Sequence, residues 1–142
     1  MNNNRIKDIS ELSKLLLSLD DVLIFTHENP DGDAIGSVFA LQLAFINLGK
    51  KASAFFGEEL PKKYKKHKNE HTFISSFWEN FTFKNCISLD CGNFERLETF
   101  QKGKPLNCPL INIDHHQDNT LFGDKFYIVP QASSTAEIIF DV

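Results

Sequence analysis

The chain has 142 residues, 42% of them hydrophobic, and a formal net charge of −4. This predicts one globular domain with a sizeable core and argues against broad, non-specific binding to nucleic acid or membranes. No segment resembles a signal peptide or a membrane span, and three cysteines without CxxC spacing (Cys86, Cys91 and Cys108) favour a reducing cytosol over a disulfide framework, so we expect a cytoplasmic protein.

The first third of the chain alternates helix and strand patterns. Apolar residues three and four positions apart predict an amphipathic helix over residues 6–19. The apolar run Val22 to Phe25 predicts a buried strand. A helix then follows, with Asp33 as its N-cap and Gly49 as its C′ residue. Ala52 to Phe56 is expected to form a second strand, so the pattern is typical of an α/β protein.

Residues 58–80 contain a lysine run, with five lysines between Lys62 and Lys68. Because charge runs are usually solvated, we expect an exposed loop or helix face, and a phosphate-binding role is the open alternative. His67 and His71 stand four residues apart and could grip a metal ion on a helix. Only Glu70 is placed to assist them, so exposed surface is the better interpretation.

Two strands in the second half of the chain end in acidic or histidine residues. Cys86 to Leu89 predicts a short buried strand that delivers Asp90 to its end. A helix is expected from its cap at Asn93 to about Phe100. The apolar run Leu110 to Ile113 predicts another strand, which is followed directly by the sequence DHH at positions 114–116.

The end of the chain adds one strand and one helix. Lys125 to Val129 predicts the strand. The helix is opened by Ser133, Ser134 or Thr135, and Glu137 is placed for a capping box.

Strands that alternate with helices imply a parallel sheet, whose strand ends gather the acidic and histidine residues into one pocket. Carboxylates and imidazoles crowded together would repel or stay protonated without a cation. Imidazole with carboxylate suits Mn²⁺ and related divalent ions. Five good ligands exceed what one catalytic ion needs, which favours two ions and leaves the other histidine to donate to a phosphate oxygen. The gathered residues are His27, Asp31, Asp33, Asp90, His115 and His116.

The motifs HENPDGDAIGS, LDCG, IDHH and SSTAE together resemble those of the DHH phosphoesterase superfamily, in the same order and at plausible separations. The PDGDAIGS form is most similar to the NrnA-like group of oligoribonucleases and phosphoadenosine-phosphate phosphatases. The resemblance implies a parallel-sheet DHH domain with helices on both faces, covering residues 1–142. It also implies a manganese-dependent phosphoesterase that hydrolyses very short RNA or phosphoadenosine phosphate.

The resemblance also implies roles for individual residues. Asp90 bridges two Mn²⁺ ions, although Mg²⁺ or Co²⁺ stays open. Asp114 and His116 are assigned to catalysis, with Asp114 in a supporting position and His116 facing the phosphate. The expected metal ligands are His27, Asp31, Asp33, Asp90 and His115. The expected substrate-binding residues are Asn29, Ser133, Ser134 and Thr135.

Two features of the superfamily do not occur in this sequence. They are a further ligand aspartate beyond the STAE helix and a C-terminal substrate-binding domain, so we expect the chain to be the N-terminal part of a longer enzyme. A homodimer is compatible with this expectation. The alternatives are a non-catalytic nucleotide-binding domain, a pyrophosphatase, or a cyclic-dinucleotide phosphodiesterase of the same superfamily.

Overall fold

The computed structural model describes residues 3–57, 59–74, 82–97 and 106–142. The strands are β1 (Val22–Phe25), β2 (Ala52–Phe56), β3 (Thr72–Ile74), β4 (Asn85–Leu89), β5 (Leu110–Asp114) and β6 (Lys125–Ile128). The helices are α1 (Ile9–Ser18), α2 (Gly32–Asn47), α3 (Lys62–Lys65) and α4 (Thr135–Asp141). No helix among these residues is long and apolar enough to cross a membrane.

All six strands belong to one parallel sheet, in the order β3-β2-β1-β4-β5-β6. The predicted parallel α/β fold is therefore confirmed. The order reverses direction between β1 and β4, and in such sheets the carboxyl ends of the strands leave a crevice at that reversal. The edge strand β3 was not predicted, because its three residues follow a polar, lysine-rich segment that carries no strand period.

The core lies on both faces of the sheet. Side chains alternate between the two faces along a strand. On β1, Val22 and Ile24 belong to the larger apolar cluster, which includes residues of α1, α2 and α4, whereas Leu23 and Phe25 belong to a smaller cluster. The smaller cluster includes Leu97, which lies in a helical turn at 95–97. The rest of the helix expected to reach about Phe100 falls on residues 98–100, which lie outside the described part of the chain.

Helix α1 begins at Ile9, three residues later than predicted. Asp8 is its N-cap, and the Asp8 side chain accepts a hydrogen bond from the Glu11 N–H at 2.9 Å. Ile6 is buried, as its place in the apolar pattern required, but it lies outside the helix. Its N–H donates to the carbonyl of Phe126 at 2.9 Å, so the segment before α1 lies beside β6.

Helix α2 is capped by Asp31, and the prediction that Asp33 is the N-cap was wrong. The Asp31 side chain accepts a hydrogen bond from the N–H of Ala34 at 2.9 Å, which places Asp33 inside the first turn. The predicted C′ residue is confirmed. Gly49 follows the cap with a φ of 74°, a left-handed conformation that glycine adopts without strain.

The cysteines do not all stay reduced, contrary to the expectation from their spacing. Cys86 on β4 and Cys108, just before β5, form a disulfide with their Cα atoms 6.2 Å apart. The pairing of β4 with β5 brings them together across 22 residues, a separation that leaves no local signal in the sequence. Cys91 is free and buried, and burial raises the pKa of its thiol to about 11.

Two smaller expectations agree with the structure. His67 and His71 are both exposed, as their position in the lysine-rich segment indicated. Ser134 is the N-cap of α4 and accepts a hydrogen bond from the Glu137 N–H at 3.1 Å. The Glu137 carboxylate accepts from the N–H and the hydroxyl of Ser133, both at 2.6 Å, so the acid predicted for the capping box does stabilise this helix start.

Candidate metal centre

The six gathered residues lie together at the carboxyl ends of the central strands. His27 lies two residues after β1, Asp90 directly follows β4, and His115 and His116 directly follow β5. The Oδ2 atom of Asp90 is 3.9 Å from His27 Nε2. Its Oδ1 atom is 3.7 Å from His115 Nε2 and 3.8 Å from His116 Nδ1. The buried Asp90 carboxylate is therefore the centre of the cluster.

Two groups of side chains in this cluster could each hold a metal ion. In each group, one nitrogen or oxygen atom per residue lies within 4.8 Å of the others. The first group is His27, Asp31 and Asp90, and the second is Asp90, His115 and His116. Asp90 belongs to both. Such shared donors of imidazole nitrogen and carboxylate oxygen fit two neighbouring divalent cations.

Asp33 lies beside the second group and is fixed by the start of α4. Its Oδ2 accepts the Thr135 N–H at 2.9 Å, and its Oδ1 accepts the Ala136 N–H at 2.8 Å. The same Oδ2 is 3.7 Å from His115 Nε2. Each carboxylate oxygen has two lone pairs, so these amide bonds orient Asp33 and still leave it able to bind a cation.

The environment of Asp90 is unfavourable for a negative charge in the absence of a cation. The residue is 2% exposed, and burial, together with the nearby Asp33 charge, raises the pKa of its carboxyl to about 7. The Thr135 hydroxyl, which donates to Asp90 Oδ1 at 3.0 Å, acts in the opposite direction and lowers that pKa. A divalent ion would supply the missing positive charge, so this donor set fits a metal centre.

Backbone conformation adds a signal at the same position. Asp90 has a φ of 57° and Asn29 a φ of 50°, both in the left-handed region. Residues other than glycine adopt this conformation uncommonly, and such residues concentrate at functional sites. The conformation at Asp90 turns the chain sharply at the end of β4, and nothing in its local sequence predicted it.

Asp114 and His116 form a hydrogen-bonded pair behind the cluster. Asp114 is fully buried, and its Oδ1 accepts the His116 Nδ1–H at 2.7 Å. The other carboxylate oxygen accepts from Asn119 Nδ2, also at 2.7 Å. Partial burial lowers the pKa of His116, but the hydrogen bond and the negative charge of Asp114 outweigh it and raise the pKa overall. Asn119 was not singled out in the sequence because it lies in a loop without a motif.

The expected substrate-binding residues have different surroundings. Asn29 is exposed and follows His27 by two residues. Ser133 and Ser134 bind Glu137 at the start of α4, and Thr135 is buried against Asp33 and Asp90. Substrate contact by these four residues stays a prediction.

A separate apolar groove of about 310 Å³ lies between α1, α2 and α4. Among the described residues, no histidine or acidic side chain lines it, and Ser13 supplies its only polar side chain. It therefore lacks the groups that bind a metal ion or a phosphate, and the polar crevice at the strand ends is the candidate site.

Comparisons with known proteins agree with this geometry. Residues 21–142 match the DHH family, N-terminal domain. The chain is 31% identical over 121 residues to the bifunctional oligoribonuclease and PAP phosphatase NrnA of Thermus thermophilus, covering 85% of this chain and 36% of that protein. It is 26% identical to the protein of the same name from Bacillus subtilis, covering 94% and 41%.

A solved structure shares the fold. The crystal structure of an exopolyphosphatase-related protein from Bacteroides fragilis superposes with a TM-score of 0.76 at 23% identity, covering 93% of this chain and 41% of that one. The chain thus spans well under half the length of these relatives.

Proposed function

Because the chain belongs to the DHH family, we propose that it carries the catalytic residues of a metal-dependent phosphoesterase. The observation that carries this proposal is the pair of overlapping ligand groups that share the buried Asp90. One group contains His27 and Asp31. The other contains His115, with Asp33 at its edge. We assign these five residues as ligands of two divalent ions and Mn²⁺ as the preferred metal.

The chemistry divides between the ions and the protein. A bound pair of such ions lowers the pKa of a shared water and stabilises negative charge on a phosphoryl group. The Asp114 carboxylate holds His116 through Nδ1, which leaves Nε2 to interact with the substrate. With its Nδ1–H donated to Asp114, a protonated His116 presents its Nε2–H as a hydrogen-bond donor for a phosphate oxygen.

For substrates we propose very short oligoribonucleotides or phosphoadenosine phosphate. Two relatives named as oligoribonuclease and PAP phosphatase support this choice. Asn29, two residues after His27, is exposed and is the residue we propose to contact the nucleotide.

The test combines metal binding with hydrolysis. Mn²⁺ is titrated into the chain by calorimetry, and cleavage of a two-nucleotide RNA and of phosphoadenosine phosphate is followed with and without the metal. Asp90→Ala should abolish both Mn²⁺ binding and turnover, because one carboxylate serves both groups and no neighbour replaces it. The matched control is Asp118→Ala, which removes an exposed acid.

The outcomes separate the hypotheses. Near-normal turnover by Asp90→Ala with Mn²⁺ would show that the two-ion assignment is wrong. Tight nucleotide binding by a chain that binds no Mn²⁺ would instead favour the non-catalytic nucleotide-binding domain.

A further inference from the structure

Arg96 is a cationic side chain in direct contact with the cluster. Its Nη2 atom lies 2.9 Å from Nδ1 of His27. The chain has only one other arginine, Arg5. No motif pointed to Arg96, because it is an isolated basic residue in the segment after the LDCG sequence.

The backbone that carries Arg96 is well anchored. The Arg96 N–H donates to the carbonyl of Asn93 at 3.2 Å, and the Asn93 side chain accepts from the Glu95 N–H at 2.9 Å. Leu97, the next residue, is completely buried in the smaller apolar cluster. Arg96 itself is exposed. The guanidinium therefore projects from a fixed point and remains accessible at the rim of the crevice.

The His27 ring nitrogen that Arg96 contacts has a second neighbour. Nδ1 also lies 2.5 Å from the carbonyl oxygen of Glu28. Nδ1 can donate a hydrogen bond to the carbonyl when it carries a proton, or accept a hydrogen bond from the guanidinium when it does not, but it cannot do both. A histidine that ligates a metal through Nε2 carries its proton on Nδ1 and donates it, commonly to a backbone carbonyl. In that tautomer Nδ1 no longer accepts from Arg96.

We infer that Arg96 binds a phosphate oxygen of the substrate once His27 is engaged as a metal ligand, an inference that rests on the function proposed above. The guanidinium is a planar donor whose paired N–H groups match the oxygens of a phosphate. A positive charge at the rim of the crevice also attracts an anion that approaches the site. The ligand class is a phosphate mono- or diester.

The test measures anion binding separately from metal binding. The chain is loaded with Mn²⁺, and the affinities for inorganic phosphate and for adenosine monophosphate are measured by calorimetry. Arg96→Met should weaken both by about tenfold or more, the scale of one charge-assisted hydrogen bond. Its Mn²⁺ affinity should stay within about twofold of the unmodified value, because the Nε2 atom of His27 is untouched. Arg96→Lys, which keeps the charge but loses the paired geometry, should be intermediate.

The matched control is Arg5→Met, which removes the same charge from the segment beside β6 and should leave phosphate affinity unchanged. Equal phosphate affinity in Arg96→Met and the unmodified chain would overturn the inference. A fall in Mn²⁺ affinity that accounts for the whole loss would also overturn it, since Arg96 would then act by positioning His27. With either of these results, the proposed function still stands if the unmodified chain binds Mn²⁺ and hydrolyses substrate. If the unmodified chain binds no Mn²⁺, the proposed function and the inference about Arg96 both fail.

Discussion

Asp90→Asn should make the metal-free fold more stable while it removes the metal site. Asparagine has nearly the shape of aspartate and can still accept the Thr135 hydroxyl through its amide oxygen. It also tolerates the left-handed φ of 57° at this position. The substitution therefore removes little except the charge, and that charge is buried beside Asp33.

The size and sign of the effect follow from the pKa of Asp90. Its pKa of about 7 in the fold lies above the ordinary value of 3.8. Between these values the folded chain holds a proton that the unfolded chain has released, so the free energy of unfolding falls as pH rises from about 4 to about 7. A pKa shift of about three units limits the gain in the free energy of unfolding of Asp90→Asn to about 4 kcal/mol at pH 8.5. At pH 5 the expected gain is about 1.5 kcal/mol.

Urea denaturation at pH 5 and pH 8.5, with a chelator present, measures this difference. Asp118→Asn is the control for loss of one exposed negative charge, and it should be within about 0.5 kcal/mol of the unmodified chain at both values. The reasoning fails if Asp90→Asn gains the same stability at both pH values, or if it is less stable than the unmodified chain at pH 8.5.

Three further predictions concern other parts of the crevice. His116→Ala should keep Mn²⁺ content but lower turnover by about a hundredfold or more, and loss of metal would make it a ligand instead. If the lysines of Lys62 to Lys68 guide phosphates, replacing them with glutamine will weaken short-RNA binding at low salt, with a deficit that shrinks as salt rises; unchanged low-salt affinity would identify the run as plain surface. In thermal melts, Gly36→Ala should be stabilising by about 0.5–1 kcal/mol, because the position lies inside α2 and its Cβ meets open space. Gly32→Ala should gain less, because it is the first residue of α2 and its Cβ would lie 2.9 Å from the Tyr64 hydroxyl, which has to shift; equal gains would contradict this.

The sequence predicted the members of the cluster better than the bonds between them. Each central strand is a short apolar run that stops at a polar residue, and parallel pairing forces such ends to meet, so the grouping of His27, Asp90 and His115 could be foreseen. The hydrogen bond from Thr135 to Asp33 joins residues 102 positions apart. No periodicity or cap rule encodes such a contact. The disulfide was missed for the same reason, since it depends on which strands become neighbours. Strand β3 was missed because it is three residues long and follows a lysine-rich segment without a strand period.

The three central aspartates have the same kind of hydrogen-bond partner, a donor at the start of a helix. Asp31 accepts the amide of Ala34, Asp33 accepts the amides at the start of α4, and Asp90 accepts the hydroxyl of Thr135. Each bond compensates part of a negative charge and fixes the direction of the carboxylate. Because Thr135 binds both Asp33 and Asp90, it ties α2, β4 and α4 to one another. Under the proposed metal assignment, these helix starts would orient the three carboxylates in advance, so little of an ion's binding energy would be needed to arrange them.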